Sequence, residues 1–496
     1  GWNNYAFDDK FIEHRVRQLH SYLDFWHSIQ KVDLMLEYKS VIRGASYSLN
    51  AVAKAEGIGE KLSRPPDISS MPKSELRDYN IQDADLVRLI DQKYAFTHLR
   101  YELQSLTGVL INDASPSRWH DNLIIRRARE LMHVLPTVQP RKDRPELKGA
   151  FVLEPKPGIH ENVAVFDINS LYPNIVIHER IDHPHFRGQL IPAITRQLLE
   201  SRAKYKAEYK STNSPSAYIK QYAYKILANS LYGVLTMPWF RLYHPEIGNS
   251  ITGKGRSIIQ SLISYVRSFG LEVLYADTDS VFVYPISNFK HADWLMRKIN
   301  SYLYPYSVKF EKLYTRILFI GDEKGGRKKR YAGLTTDGQI DVKGLELIRG
   351  DWSELAKEVQ SRIIKMVLHN RPQSEIESYL SEIKSKLYAG QLDDKLILAK
   401  HITKRLSEYK ANQPHVRAAR ILTERYNVDE RAIAVIEYVM ATTPESVFPI
   451  AAGWDRAKQV IDRKWYWTHQ VKPVADRILR AAFLTSKPKP KQTKLL

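Results

Sequence analysis

Three acidic residues lie at the ends of apolar stretches, and this pattern constrains the fold more than any other feature of the chain. Residues 272–281 read Glu-Val-Leu-Tyr-Ala-Asp-Thr-Asp-Ser-Val, which predicts a β-hairpin with Asp277 and Asp279 at its tip. Asp167 lies in a similar setting, in Ala-Val-Phe-Asp-Ile-Asn-Ser-Leu-Tyr-Pro. A carboxylate that ends an apolar strand is costly to bury without a counter-charge. Each motif alone also fits a turn or a cap, but two such acids could share a pair of divalent cations, the arrangement that phosphoryl transfer needs.

The composition indicates a large globular chain with a basic surface. Its 496 residues are too many for one core and predict three or four domains. The formal net charge of +20 fits either a generally basic surface or a surface that binds a polyanion such as nucleic acid. The chain has no cysteine, which excludes disulfides and thiolate metal sites. We find no signal peptide and no apolar run near the ~20 residues of a membrane span, so we expect no membrane partner.

Periodicity and turn residues divide the chain into helical and strand-rich parts. Helical patterns cover residues 11–40, 81–106, 192–210 and 217–233, and strand patterns cover residues 150–154, 162–168, 271–284 and 308–320. Pro-rich or polar stretches predict a loop at 64–74, a linker at 140–145 and a turn at 211–216. From Trp352 onward the pattern is mainly helical, and the Lys/Pro-rich residues 486–496 predict a disordered tail.

Five motifs, in the expected order, resemble those of family B (polymerase alpha-like) DNA polymerases, with a lean toward the archaeal and viral types. Three of them resemble the polymerase motifs of that family: Asp167-Ile-Asn-Ser-Leu-Tyr-Pro-Asn-Ile, Lys225-Ile-Leu-Ala-Asn-Ser-Leu-Tyr-Gly233 and Tyr275-Ala-Asp-Thr-Asp-Ser280. Lys328-Lys-Arg-Tyr331 is similar to the basic primer-template motif, and Gly344-Leu-Glu-Leu-Ile-Arg-Gly-Asp-Trp352 to the passage from palm to thumb. One such match would be weak, but five in order across nearly the whole chain are specific.

The resemblance implies an α+β multidomain fold with the architecture of a right hand. A palm with an antiparallel sheet would carry helical fingers and a helical thumb, and a partial RNase H-like 3′–5′ exonuclease domain would precede them. The implied domains are the exonuclease-like domain at 1–95, a helical connection at 96–149, the palm at 150–190 and 234–345, the fingers at 191–233, the thumb at 346–485 and a basic tail at 486–496.

The resemblance also assigns roles to the acids. Asp167 and Asp279 would be the carboxylates that bridge two Mg²⁺ ions, joined by the backbone carbonyl of Ile168, and Asp277 would be an auxiliary acid. One ion would generate the alkoxide at the primer 3′ end, and the other would hold the triphosphate and the leaving group. Mg²⁺ prefers such oxygen ligands, and Mn²⁺ is expected to substitute.

The nucleotide site is implied on two predicted finger helices and on the residues after Asp167. Arg202 and Lys225 match phosphate-binding positions, and Lys206 lies on the same helical face as Arg202. The alternative for these cations is a solvated face. Backbone amides of Ser170 and Leu171 would cradle the β and γ phosphates.

Other residues are implied to contact the base pair and the duplex. Tyr172 resembles the steric gate that excludes a ribose 2′-hydroxyl, with a core tyrosine as the alternative. Asn229, Tyr232 and Gly233 would face the nascent base pair, although Gly233 also fits a helix C-cap. The DNA contacts of the basic motif would come from Lys328, Lys329, Arg330 and Tyr331. In the thumb, Thr403-Lys404 and Pro414-His-Val-Arg417 resemble positions near the product duplex, or form a cap and a turn.

The first quarter of the chain resembles only part of the family's exonuclease. Asp8, in Gly1-Trp-Asn-Asn-Tyr-Ala-Phe-Asp8, matches the second exonuclease motif, and Tyr79 and Asp83 match the third. The first motif, an Asp-x-Glu, has no counterpart here. Upstream residues or a second chain would complete the exonuclease, or else it is inactive, so we expect little proofreading from this chain alone.

Several further interpretations stay open. The cluster of His178, Asp182, His183 and His185 could hold zinc, although the chain has no cysteine to join it. The tail Gln492-Thr-Lys-Leu-Leu496 could begin a sliding-clamp peptide or simply be a free terminus.

The implied function is template-directed extension of a primer with dNTPs inside a prokaryotic or virus-infected cell, in the cytoplasm and near the nucleoid. A catalytically silent relative that only binds DNA, as a scaffold or a subunit, is the main alternative. RNA synthesis is disfavoured by Tyr172.

Overall fold

Helices form the N-terminal part of the protein. The computed structural model describes residues 1–19, 28–42, 47–63, 70–138, 146–186, 189–322, 325–348, 352–430, 433 and 435–483. The first helices are α1 (Asp8–Gln18), α2 (Leu34–Val41), α3 (Leu49–Ala55), α4 (Lys73–Tyr94), α5 (Phe96–Thr107) and α6 (Pro116–Glu130). The helix predicted over 81–106 is divided, because Ala95 takes a left-handed backbone conformation with φ of 54°. Most of the predicted loop at 64–74 and the whole linker at 140–145 lie outside the described residues.

A separate small core holds α2, α3 and α4 together. Leu34, Tyr38, Val52, Leu86 and Ile90 are buried in it. The described residues of the stretch 1–95 contribute helices α1 to α4 and no strand. The RNase H-like architecture of this stretch therefore stays a prediction.

The central part of the chain combines one large sheet with five helices. Its strands are β1 (Val152–Leu153), β2 (Gly158–Ile168), β3 (Glu272–Asp277), β4 (Ser280–Tyr284), β5 (Val308–Asp322), β6 (Gly325–Thr335) and β7 (Ile340–Lys343). Its helices are α7 (Leu171–His178), α8 (Ile191–Thr212), α9 (Pro215–Leu235), α10 (Pro245–Arg267) and α11 (Phe289–Leu303). The strands pair antiparallel in the order β1-β3-β4-β2-β5-β6-β7, so the strands predicted at 162–168, 271–284 and 308–320 are confirmed.

Strand β2 is buried on both faces of the sheet. Val163 and Val165 pack into an aromatic cluster with Tyr275, whereas Ala164 and Phe166 face the core that contains α10 and α11. Burial on both faces explains the continuous apolar run in the sequence. Asp167, which is only partly buried, follows this run.

Helices α8 and α9 form the predicted helical hairpin. Ser214 caps α9 by accepting a hydrogen bond from the Ala217 amide, and Asn213 takes the left-handed conformation at the end of α8. The turn predicted at 211–216 is therefore confirmed.

The C-terminal part has its own core, and the sequence predicted it incompletely. It contains α12 (Glu354–Leu368), α13 (Gln373–Tyr388), β8 (Leu398–His401), α14 (Pro414–Tyr426), β9 (Val435–Met440), β10 (Val447–Pro449), α15 (Trp454–Val460), α16 (Arg463–Tyr466) and α17 (Lys472–Phe483). The mainly helical prediction missed a three-stranded antiparallel sheet in the order β10-β9-β8. Across the part of the chain that the structure covers, no helix is both long and apolar enough to cross a membrane.

Candidate active site

Asp277 and Asp279 lie at the tip of a tight hairpin, as predicted. Strand β3 ends at Asp277 and β4 begins at Ser280, and these two residues are register partners. Thr278 between the acids takes a φ of 60°, and the Asp279 amide donates to the Asp277 carbonyl at 2.6 Å. The tip is thus fixed by its own backbone hydrogen bond.

Backbone pairing brings Asp167 to this tip. Strand β2 lies beside β4 with Asp167 opposite Ser280. The amide of Ile168 donates to the carbonyl of Asp279 at 2.7 Å. Carboxylates from two distant segments therefore lie at one end of the sheet.

The local field at Asp279 reflects this closeness. Burial, followed by the negative charge of Asp167, raises the pKa of Asp279 from 3.8 to about 6, and Asp277 adds to the rise. The positive charge of Lys309 on β5 lowers the pKa of Asp279 by a smaller amount. The Nζ of Lys309 lies 3.2 Å from Oδ1 of Asp167. Asp279 makes no ion pair with any side chain that the structure describes. Two close carboxylates with too little counter-charge favour the binding of cations.

Asp277 differs from the other two acids because its oxygens already have partners. The Tyr275 and Thr278 hydroxyls each donate to it at 3.2 Å. The Nζ of Lys329 lies 3.5 Å away. The auxiliary role of Asp277 stays a prediction.

The donor set fits hard divalent cations with few protein ligands. Within the described ranges, no group of three or more His, Asp or Glu side chains has the geometry of a metal site. Asp167 and Asp279 supply the carboxylate oxygens, and the raised pKa of Asp279 marks a negative site that lacks counter-charge. Mg²⁺ suits such a site, because it keeps several waters and takes oxygens from a substrate phosphate.

Cations from α8 and α9 converge near the acids. The Arg202 guanidinium donates to Ser170 Oγ at 3.3 Å, and its buried Nε has no hydrogen-bond partner in the described structure. Burial lowers the pKa of Lys206, and the neighbouring charges of Arg202, Lys210, Lys309 and Lys225 lower it further. Cations this close repel one another, and a bound polyanion would relieve that repulsion.

Tyr172, on α7, packs between α9 and α10. Its ring centroid lies 4.8 Å from that of Tyr232, and a Cβ added at Gly255 would lie 3.2 Å from its Cε1. Burial raises the pKa of Tyr172 to about 12, with smaller contributions from Tyr232 and Asp279. The ring is thus held rigidly within the field of the acids.

Lys225, Asn229 and Gly233 follow one another at four-residue steps along one face of α9. The C-cap interpretation of Gly233 is wrong, because the helix continues to Leu235 and its C-cap is Thr236. A Cβ at Gly233 would meet nothing within 4 Å. Packing inside the chain does not require glycine at this position, although glycine weakens a helix by about 1 kcal/mol relative to alanine.

The basic motif on β6 divides between two environments. The backbone of Lys329, with φ of 61°, donates to the Tyr275 hydroxyl at 3.1 Å, on the side of the acids. Tyr331 packs against the same aromatic cluster. Arg330 instead pairs with the buried Glu346, so its predicted DNA contact competes with an internal partner. Lys328 is exposed.

The exonuclease-like residues are only partly assembled. On α4, Asp83 Oδ2 lies 2.6 Å from Lys61 Nζ, which also lies 4.9 Å from the Tyr79 ring centroid. Asp8 begins α1 and is exposed. No hydrogen bond or ion pair joins Asp8 to the other two in the described part of the chain. A lysine ammonium already neutralises Asp83.

The remaining candidates have internal partners. Asp182 accepts hydrogen bonds from the amides of Leu190 and Ile191 at the start of α8, which is a structural role and leaves the zinc interpretation without support. The Thr403 amide donates to the Tyr409 hydroxyl, and Arg417 donates to the Glu445 carbonyl, as expected for a turn and a helix start. The tail at 486–496 lies outside the described residues.

Sequence reasoning missed Lys309 and the buried carboxylate Glu346. Lys309 is the register partner of Asp167 on β5, a pairing that no local pattern reveals. Glu346 contacts both Arg330 and Arg477. Its position in the Gly344–Trp352 motif was the only available signal.

Comparison with known proteins gives one family. The profile of DNA polymerase family B matches residues 109–183 and 178–482. DNA polymerase 2 of Aeropyrum pernix is 35% identical over 398 residues, covering 73% of this chain and 48% of that protein. A DNA polymerase of Archaeoglobus fulgidus is 31% identical over 452 residues, covering 82% and 56%. The chain thus spans about half the length of the curated relatives it matches.

A solved structure agrees with these relatives. The family B DNA polymerase from the hyperthermophilic archaeon Pyrobaculum calidifontis superposes with a TM-score of 0.70 at 27% identity. The match covers 96% of this chain and 69% of that one.

The raised pKa of Asp279 predicts that Asp279→Asn stabilises the metal-free protein. A folded pKa of about 6 against 3.8 means that the stabilisation from proton binding is complete below pH 3.8 and lost as the pH rises through 6. That shift corresponds to roughly 3 kcal/mol, and solvent screening reduces it. We expect a gain of about 1–2 kcal/mol at about pH 8 in urea unfolding with chelator, shrinking at about pH 5.

Asp277→Asn is the matched control. The carboxylate of Asp277 has partners in Tyr275, Thr278 and Lys329, so this variant should gain no stability. Equal stability of wild type and Asp279→Asn at both pH values would contradict the electrostatic picture.

Proposed function

The chain belongs to DNA polymerase family B, and we propose that it is a template-directed DNA polymerase that extends a primer 3′ end with dNTPs. One observation carries the proposal. Asp167 and Asp279 meet at a hairpin tip where the pKa of Asp279 is raised to about 6, close to a group of cations that repel one another. A pair of carboxylates next to a group of lysine and arginine side chains suits a reaction in which metal-bound phosphates are transferred.

Asp167 and Asp279 would hold two divalent cations, by way of their carboxylates and the Ile168 carbonyl. When bound, such ions activate the primer hydroxyl and stabilise the charge that develops on the leaving pyrophosphate. Lys309, which pairs with Asp167 at 3.2 Å, is half exposed and free to turn toward the solvent or a phosphate. Asp277 and Lys329 would keep the hairpin tip in place from the other side.

Arg202, Lys206 and Lys225 would bind the triphosphate. Arg202 is suited to a bidentate contact, because its Nε is buried without a described partner. Lys206 and Lys225 would act as point charges. The backbone of Ser170 and Leu171 at the start of α7 would add amide donors.

Tyr172 would exclude ribonucleotides, and the open face of α9 would receive the nascent base pair. The rigid packing of Tyr172 against Tyr232 leaves it little freedom to yield to a 2′-hydroxyl. Asn229, Tyr232 and Gly233 would contact the base pair. The empty space beside Gly233 is consistent with a ligand that approaches the helix backbone closely.

The division into palm, fingers and thumb follows from this assignment. The palm would be the seven-stranded sheet with α10 and α11, the fingers α8 and α9, and the thumb the region after residue 346. Closure of α8 and α9 on a correct pair would complete the phosphate site and sharpen selection. Primer-template DNA inside a cell would be the partner, and a clamp or a second chain would be an additional one.

Asp167→Asn should abolish primer extension without abolishing DNA binding. Removing one shared carboxylate should lower the extension rate on the order of a thousandfold, about 4 kcal/mol of transition-state stabilisation. Single-turnover extension with Mg²⁺ and anisotropy binding of labelled primer-template DNA measure the two properties. Asp337→Asn, in the exposed β6–β7 turn, is the control and should extend normally.

Near-normal extension by Asp167→Asn would reject the proposed site. A wild type that binds primer-template DNA yet never extends it would instead favour the catalytically silent relative.

Tyr172→Ala should relax the choice of sugar. Removing the ring opens space for a 2′-hydroxyl, so the ratio of kcat/KM for dNTP over rNTP should fall by about ten- to a hundredfold. Tyr304→Ala changes an exposed tyrosine elsewhere on the sheet domain and should leave the ratio unchanged. An unaltered ratio in Tyr172→Ala would assign the ring to the core instead.

The chain by itself should show 3′–5′ digestion far slower than its extension. Lys61 neutralises Asp83, and no hydrogen bond or ion pair of the described residues joins Asp8 to Asp83, so we do not expect these acids to share a metal ion. Digestion of a labelled, mismatched primer without dNTPs measures this rate, with Asp83→Asn as the comparison. Wild-type digestion as fast as extension, and lost in Asp83→Asn, would refute the expectation.

A further inference from the structure

Lys309 lies opposite Asp167 in the central sheet. The two residues are register partners on β5 and β2, and the Nζ of Lys309 lies 3.2 Å from Oδ1 of Asp167. Among the residues that the structure describes, no other ion pair reaches the Asp167 carboxylate. In the free protein, the ammonium of Lys309 therefore neutralises one of the two carboxylates that we assign to the divalent cations.

A β-bulge between β2 and β5 brings Lys309 to this position. The pairing shifts by one residue between Val165 and Phe166. An unbroken ladder would place Phe310 opposite Asp167, but the shift places Lys309 there. Phe310 packs instead against Phe166 in the core, with ring centroids 6.0 Å apart. Bulges of this kind redirect side chains next to functional sites, so the strand pairing itself sets the contact between ammonium and carboxylate.

The side chain of Lys309 is free to leave Asp167, although the backbone before it is fixed. The Asn300 side chain accepts a hydrogen bond from the Val308 amide at 2.6 Å and donates one to the Val308 carbonyl at 3.1 Å. The Lys309 side chain, in contrast, keeps 51% of its surface exposed. Solvent screens an exposed ion pair and makes it weak. The ammonium therefore exchanges Asp167 for another anion at little cost.

The same ammonium acts on both groups of charges at the site. Burial and the charge of Asp167 raise the pKa of Asp279, and Lys309 opposes that rise. Burial lowers the pKa of Lys206, and Arg202 and Lys309 are among the cations that lower it further. Lys309 thus lies within electrostatic reach of the acids on the sheet and of the cations on α8.

These two groups make opposite demands on Lys309. Divalent cations take carboxylate oxygens as ligands, so metal binding at Asp167 requires the ammonium to leave. A triphosphate bound by Arg202 and Lys206, as proposed above, would offer the displaced ammonium a new anionic partner. The binding of metal and the binding of nucleotide would therefore assist one another through this one side chain.

We propose that Lys309 is an exchangeable counter-ion, which neutralises Asp167 in the free protein and moves to the triphosphate when metal and nucleotide bind. The inference rests on the proposed function, because it takes Asp167 and Asp279 as metal ligands and a nucleoside triphosphate as the substrate. It adds a regulation of that site: metal alone binds against the competing ammonium, whereas metal with nucleotide binds without it.

The test measures metal binding without catalysis. The full chain is bound to primer-template DNA whose primer lacks a 3′-hydroxyl, and EPR counts the free Mn²⁺ through a titration. Lys309→Met removes the ammonium and keeps an apolar stem of similar length. Without nucleotide, this variant should bind Mn²⁺ about threefold more tightly than wild type, the size expected for the loss of one weak competing ion pair.

The same titration with the complementary dNTP distinguishes exchange from a fixed charge. With nucleotide bound, the wild-type ammonium has left Asp167, so the difference in Mn²⁺ affinity should vanish once the Mn²⁺ held by unbound nucleotide is subtracted. Because the coupling between two ligands is reciprocal, the variant should bind dNTP about threefold or more weakly at saturating Mn²⁺. A fixed lysine would change the Mn²⁺ affinity by the same factor with and without nucleotide.

Two further variants are the controls. Lys156→Met removes an exposed lysine from its ion pair with Glu272, at the end of β3 that is remote from Asp277, and should bind Mn²⁺ and dNTP as wild type does. Lys309→Arg keeps the charge and should bind Mn²⁺ no more tightly than wild type. Lys156 and Lys309 are both exposed, so equal thermal unfolding of all variants is expected.

Three outcomes would overturn the proposal. Equal Mn²⁺ affinities of wild type and Lys309→Met without nucleotide would show that the ammonium does not compete with metal. A difference that persists unchanged with dNTP would assign Lys309 to a fixed charge. The same increase in Lys156→Met would show only a general effect of net charge.

The experiment also distinguishes a failure of this inference from a failure of the proposed function. A wild type whose Mn²⁺ binding does not change in Asp279→Asn would contradict the proposed metal site, and the counter-ion with it. A wild type that loses Mn²⁺ binding in Asp279→Asn, but whose binding is unaltered in Lys309→Met, would contradict the counter-ion alone.

Discussion

The backbone pairing of β2 with β4 is the constraint on which the site depends. It places Asp167 opposite Ser280 and joins the Ile168 amide to the Asp279 carbonyl at 2.7 Å. The acids are thus positioned by strand register and not by flexible side chains. A slip of one residue would turn Asp167 to the other face of the sheet, so the buried apolar residues that fix the register also fix the chemistry.

This geometry gathers acids in one group and cations in another near the same end of the sheet. The pKa of Asp279 is raised by burial and by Asp167, and the pKa of Lys206 is lowered by burial and by neighbouring cations. Neither group gains from its surroundings in the free protein. A ligand that brings metal cations to the carboxylates and phosphates to the lysine and arginine side chains would relieve both repulsions. A site can in this way trade local stability for binding.

The parts of the fold that the sequence predicts well are those with strong local signals. The hairpin at Asp277 and Asp279 and the helical pair α8–α9 have short turns between clear apolar patterns. The small sheet of β8, β9 and β10 was missed because its strands are only three to six residues long. The break at Ala95 depends on one left-handed residue that carries no sequence signature.

The site shows the same division. Motifs pointed to the acids, to the cations of α8 and α9 and to Tyr172, but not to the partners of these residues. Lys309 opposite Asp167, Lys61 beside Asp83 and the pairing of Glu346 with Arg330 and Arg477 are tertiary contacts. They arise from strand register or domain packing, which a single sequence does not specify. Lys329 and Arg330 are neighbours in one basic motif, yet Lys329 lies beside Asp277 and Arg330 pairs with Glu346. The motif alone does not distinguish them, because the difference arises from tertiary packing.

We propose that Asp167 and Asp279 hold divalent cations together. The most direct measurement is anomalous diffraction from crystals of the full chain with primer-template DNA, a non-hydrolysable dNTP and Mn²⁺. We expect two manganese peaks beside the hairpin tip, with carboxylate oxygens of both residues within about 2.5 Å of a metal. Ordered DNA and nucleotide with no manganese bound by these two carboxylates would contradict the account.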